Sequence, residues 1–214
     1  MSTAGATRSS LRGRTLGWSL AAVAVMLFAS CDRSPGVREL TASPAPLPAG
    51  TYTRAGFVPR VTLDLDGTWT SVILFDDTFD VEQGGRGPDG IGIQVARPSG
   101  LIGGAALPIR PSDPAAAVAA LRTDPKLTIL EESEARIGGL TSRQVSIENT
   151  SGPFVGVLVL DAGVAWLETD RRMWIAFVQT PHGLLAVLVN TSVANWDHGL
   201  SVAKPVLESI RIGG

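Results

Sequence analysis

Two segments constrain the fold more than any other feature of this chain. Residues 155–160 read VGVLVL and residues 184–189 read LLAVLV, apolar at every position. A strand with one wet face alternates apolar and polar residues, whereas a continuous apolar run suits a strand covered on both faces. Residues 155–160, 164–167, 173–178 and 184–189 are joined through Asp161-Ala162-Gly163, Thr169-Asp170-Arg171-Arg172 and Thr180-Pro181-His182-Gly183. Connections this short predict an antiparallel meander. Its faces need cover. Trp196, Leu200, Ala203 and Leu207 recur at helical spacing and predict a terminal helix laid over the sheet. Pro205 lies inside that pattern and should kink the helix or begin a second one. Residues 209–212 would close as a short strand or tail.

Upstream, Asp66-Gly67 sits between alternating apolar residues and predicts a two-residue hairpin with Val61 opposite Val72. Residues 76–89 are polar and Gly-rich, with Phe79 and Val81 as short-strand residues, and residues 91–95 read as a strand. Ser112, Asp113 and Pro114 open a helix by a side-chain cap and a first-turn proline. It runs to about Arg122 and ends before Pro125. Residues 127–137 and 141–148 read as strands around Gly138-Gly139. The expected fold class is α+β, an antiparallel sheet covered by helices, in a single domain over residues 51–214.

This order resembles the PsbP-like α/β/α sandwich, shared by a photosystem oxygen-evolving subunit and a Ran-binding import factor. The residues carrying the resemblance are DPAAAVAAL at 113–121, IGGL at 137–140 and PVLESIR at 205–211. The chain also resembles small secreted bacterial lipoproteins of the LpqN type. These resemblances imply a fold and map no functional residue onto the chain.

Residues 1–30 read as an export signal. Arg8, Arg12 and Arg14 precede the apolar run LGWSLAAVAVMLF, and the small Ala29 and Ser30 precede Cys31. The run is short for a membrane span, which needs roughly 20 apolar residues; an uncleaved signal anchor is the other reading. Residues 27–31, LFASC, resemble a bacterial lipobox, with Phe28 where Leu is usual. The resemblance implies lipidation of Cys31 and cleavage after Ser30. Two or more acyl chains would then hold the protein at the extracytoplasmic face of the cell membrane. Residues 31–50 contain four prolines and read as a flexible tether. Cleavage removes three arginines and no acid, taking the formal charge from −2 to −5. A mildly acidic chain argues against nucleic acid as a partner.

Candidate chemistry is sparse. Cys31 is the only cysteine, and the two histidines, His182 and His198, have no zinc-ligand spacing. Asp76, Asp77, Asp80 and Glu82 form a dense acidic run, and Asp64-Leu65-Asp66-Gly67 superficially resembles a calcium loop. A solvated loop and a hairpin turn account for these without an ion. Residues 84–90 and 100–104 are Gly-rich but lack the spacing of a phosphate-binding loop. No nucleophile motif is present. Trp166, Trp174 and Trp196 could form an aromatic site or pack as core. These features predict no catalytic residue, metal or cofactor. The expected function is a membrane-anchored, non-catalytic binding or accessory module, with an envelope protein among its possible partners. The alternatives are an envelope hydrolase with an unmotifed site and a purely structural lipoprotein.

Overall fold

The computed structural model describes residues 36–85, 87, 89–102 and 108–213. The chain divides into two units, Met1–Gly36 and Val37–Gly214. The export signal and Cys31 lie outside the described residues, as do residues 103–107 of the second Gly-rich stretch.

The second unit is built on one long sheet. Its strands are β4 (Thr78–Gln83), β5 (Ile91–Ala96), β7 (Leu127–Ile137), β8 (Leu140–Asn149), β11 (Arg171–Thr180) and β12 (Gly183–Ser192), in the order β4-β5-β12-β11-β8-β7. All their pairings are antiparallel. The α+β class with a mainly antiparallel sheet therefore holds. Alternation along the strands separates two cores. Trp174, Ala176, Val178, Leu185, Val187, Val189, Phe79, Val81, Ile91, Ile93 and Val95 face one way. Met173, Ile175, Phe177, Ala186, Leu188, Val145 and Ile147 face the other.

Cover on each face comes from a helix and a small sheet together, which corrects the expectation of helices alone. Over the first face lies α2 (Trp196–Ser209), with a four-stranded sheet of β1 (Arg38–Glu39), β2 (Gly50–Thr53), β3 (Val61–Leu65) and β13 (Arg211–Ile212). Over the second lies α1 (Pro114–Arg122), with a sheet of β6 (Gly100–Leu101), β9 (Phe154–Leu160) and β10 (Gly163–Glu168). Asp113 caps α1 by accepting the Ala116 N–H at 2.8 Å, with Pro114 in the first turn. That hydrogen bond, and a second from Ser112, hold the Asp113 carboxyl below its ordinary pKa.

The meander is broken. β11 pairs with β8, not with β10, and the β9–β10 hairpin leaves the main sheet altogether. A polar corner redirects the chain. The buried Asn149 donates to the carbonyls of Gly152 and Leu167 and accepts from the Ser151 N–H. The Thr169 hydroxyl closes the corner by donating to the same Gly152 carbonyl.

The first hairpin is also different from its prediction. β3 pairs with β2 and β13, and Thr70 and Ser71 bridge to Glu82 and Ser43. Gly67 does adopt a positive φ, of 97°, where a side chain would be strained. It reverses the chain out of β3 instead of into a partner strand. Trp69 beyond it is 1% exposed and packs in the same core as Val61 and Leu63, so burial of the indole overrides the local hairpin signal.

Two boundaries move. Residues 37–50, expected as part of a tether over 31–50, belong to the folded unit. β1 pairs in parallel with β2, Leu40 and Leu47 are buried, and the backbone N–H of Leu47 donates to the Trp69 carbonyl at 2.7 Å. The prolines of this segment stay exposed at positions that need no donated hydrogen bond. In α2, a single helix running through Pro205, the buried stripe is Trp196, Gly199, Ala203 and Val206, with Leu200 and Leu207 only half-buried. The missing side chain at Gly199 sets this rotation. A Cβ there would come within 2.7 Å of Thr191 Cγ2 on β12, so glycine alone permits the close approach.

Leu40 decides whether residues 37–50 are tether or core. Leu40→Ala should cost about 2–5 kcal/mol in denaturant unfolding. Thr41→Ala, at the exposed neighbouring position, should stay within about 0.5 kcal/mol of wild type. Equal melts for the two variants would return the segment to the tether.

Candidate functional site

The second face of the main sheet changes character across its width. Pairing aligns Glu82, Gly92, Asn190, Met173 and Ile147 in one row across five strands. The next row is Asp80, Gln94, Leu188, Ile175 and Val145. Both rows run from polar at β4 and β5 to apolar at β8. The apolar end packs under α1 and the β6-β9-β10 sheet. The polar end is left as a cleft of about 310 Å³, walled by Val164, Ala165, Trp166 and Glu168 of β10 and by Ile73. Gly92 forms part of its floor, and a Cβ there would meet only the Asn190 carbonyl at 4.0 Å. The space exists because that position has no side chain.

Two of the charged residues that line the cleft, Asp80 and Arg171, fix its wall and rim. Asp80 is buried, and its Oδ1 accepts the N–H groups of Val72 and Ile73 at 3.2 and 2.7 Å. It thereby holds the 72–73 segment at the cleft wall. Arg171 donates from Nε to Asn190 Oδ1 at 2.8 Å. Its terminal nitrogens donate to the carbonyls of Gly90, Gly87 and Asn190 at 3.0, 3.4 and 3.3 Å. The guanidinium thus ties the β4–β5 loop to β12. Glu168 is exposed on β10. Trp166, 54% exposed, stands on the same strand.

The acidic run at 76–82 is not the solvated loop expected from its composition: residues 78–82 lie in β4, and Asp77 and Asp80 are buried with their carboxylates accepting backbone N–H groups. Asp77 accepts the Asp161 N–H, Asp66 accepts from Thr68, and Asp64 accepts the Thr51 hydroxyl. Hydrogen bonds from Thr68 hold the Asp66 carboxyl below its ordinary pKa. Among the described residues no group of three or more His, Cys, Asp or Glu side chains is placed to hold a metal. In the Gly-rich 84–90 stretch the carbonyls of Gly87 and Gly90 accept from Arg171, whereas a phosphate cradle turns backbone N–H groups toward its anion.

His182 and His198 are both exposed and neither lines the cleft. The three tryptophans are not brought together. Trp174 pairs between Val189 and Ser146 and packs against the first core. Trp196 is buried under the Arg172 guanidinium, 5.0 Å from its ring, and Arg172 in turn pairs with Glu148. Trp166 alone reaches the cleft. Sequence reasoning named it but missed Gln94, Asn190 and Gly92. Their signal was Gly92 and Gln94 at alternate positions of the otherwise apolar IGIQVA, and Asn190 closing the apolar run LLAVLVN.

No family model matches the chain. No curated protein matches it either. Solved structures do show similarity. Cyanobacterial PsbP (CyanoP) of Synechocystis sp. is 10% identical, with a TM-score of 0.43 over 80% of this chain and 97% of that one. The Ran-binding protein Mog1p of Saccharomyces cerevisiae is 10% identical, with a TM-score of 0.42 over 78% and 96%. A Pseudomonas aeruginosa protein of unknown function is 13% identical, with a TM-score of 0.42 over 75% and 94%.

Arg171 is expected to hold the cleft rim in place. Arg171→Gln leaves the Gly87 and Gly90 carbonyls without their charged donor and should cost about 1–3 kcal/mol. Faster amide hydrogen exchange should accompany that loss at Gly90 and Ile91. Unchanged exchange there would remove Arg171 from this role.

Proposed function

We propose that this protein is an exported, membrane-anchored envelope lipoprotein whose PsbP-like domain is a non-catalytic binding module. Its binding site is the cleft over β4, β5, β12 and β11. One observation carries the binding reading. Polar residues on four adjoining strands converge on a floor that Gly92 leaves open, beside an exposed tryptophan. Concave sites that mix apolar walls with a few convergent polar groups are the usual form of small-ligand pockets. The anchoring half rests on the sequence, where the small Ala29 and Ser30 precede the only cysteine. Its attachment would be a diacylglycerol group on the Cys31 sulfur.

The two halves are tested separately. Cys31→Ala should abolish lipid modification and move mature protein out of the membrane fraction. An unmodified Cys31 in the mass spectrum of the wild-type mature chain overturns the anchor. For the cleft, Gly92→Leu places a side chain into open space, so its melting temperature should match wild type. Native mass spectrometry of protein extracted from membranes should then reveal an adduct on wild type that Gly92→Leu lacks. An adduct retained by the variant places binding elsewhere.

A further inference from the structure

The chemistry of the cleft lining narrows its occupant, and the narrowing rests on the reading of the cleft as a binding site. Arg171 is the one cation among the described lining residues, and its guanidinium is occupied by Asn190, Gly87 and Gly90. An anionic ligand finds no uncommitted positive charge among those described residues. Asp80 and Glu82 are engaged in interactions of their own, Asp80 with two backbone N–H groups. Three lining side chains keep polar atoms without a hydrogen-bond partner among the described residues. They are the Gln94 carboxamide, the Asn190 Nδ2 and the Glu168 carboxylate. Together they offer both donors and acceptors, with one formal charge among the three, on Glu168. Beside them Trp166 presents a half-exposed indole, a flat apolar platform.

We infer that the cleft takes a neutral polyhydroxylated ring, a single saccharide unit. A sugar ring has an apolar C–H face that stacks on an indole and a rim of hydroxyls that both donate and accept. Carboxamides satisfy such hydroxyls by donating and accepting at once, and a carboxylate accepts from two neighbouring ones. The 310 Å³ of space lies at the small end of ligand pockets and suits one ring over a longer chain. A cationic ligand would find a single uncommitted carboxylate, on the exposed Glu168.

The test titrates the full chain with glucose, galactose, N-acetylglucosamine and cellobiose. Arginine amide and inorganic phosphate serve as charged probes, and saturation-transfer NMR and tryptophan fluorescence as readouts. At least one neutral sugar should bind, and Trp166→Ala and Gln94→Ala should each weaken it at least tenfold. Both variants should keep the wild-type melting temperature, because both side chains stand at the cleft surface; Leu130→Ala, at an exposed position on β7, should bind as wild type. If no sugar binds, or binding is indifferent to both cleft variants, the saccharide assignment is wrong. Arginine amide bound in a Gly92→Leu-sensitive way, with the sugars silent, overturns the ligand class and leaves the cleft reading intact. Silence of every probe, together with no Gly92-sensitive adduct on membrane-extracted protein, overturns both. Cleavage of cellobiose overturns the non-catalytic reading.

Discussion

The structure depends on one constraint: a six-stranded sheet whose central strands are apolar on both faces. β11 and β12 bury Met173, Ile175 and Phe177 on one side and Ala176, Val178, Leu185, Val187 and Val189 on the other. Each large aliphatic side chain so buried contributes about 1.5–3 kcal/mol relative to exposure. Neither face can be left wet. Two helices are too few to cover both, so the chain spends its remaining strands on cover as well. The four-stranded sheet and the β9–β10 hairpin exist in their observed places because those faces need them. The outer edge is guarded differently. β7 carries Glu131, Glu132, Glu134 and Arg136 and a bulge between Ile129 and Glu131, features that oppose pairing with another chain.

Much of this was legible in the residues. The continuous apolar runs predicted double-sided burial, and strands β4, β5 and β7 to β12 lie close to where their patterns place them. The Asp113 cap and Pro114 located α1. What could not be read was partnering. Pairing of consecutive strands is a reasonable default, and nothing local in VGVLVL says that β9 belongs to a second sheet. The decision lies in Asn149, whose side chain bonds across the corner to Gly152 and Leu167. Likewise Asp66-Gly67 specifies a reversal, and only the burial of Trp69 decides against a hairpin. The Pro-rich 37–50 segment misled for a related reason. Its composition is that of a tether, but two leucines, Leu40 and Leu47, are enough to dock it.

The candidate site follows from the same constraint. A sheet covered by separate pieces leaves gaps where the pieces do not meet. On the second face, α1 and the β6-β9-β10 sheet protect the apolar rows, and the polar ends of those rows need no protection. Asp80, Glu82, Gln94 and Asn190 sit where a buried strand would otherwise carry Val or Ile. That substitution of polar for apolar residues was visible as alternation in β4 and β5. Its meaning required the register, which places Glu82, Gly92 and Asn190 side by side.

The central proposal is that this cleft is where small polar molecules bind. The direct measurement is a titration of the isotope-labelled full chain with a mixed library of small polar fragments, followed residue by residue in NMR spectra. The account predicts that the perturbed resonances cluster at Gly92, Gln94, Asn190 and the Trp166 indole, while exposed positions away from the cleft such as Val58 and Leu130 stay fixed. Perturbations scattered over the surface, or gathered at a site away from these residues, would contradict it.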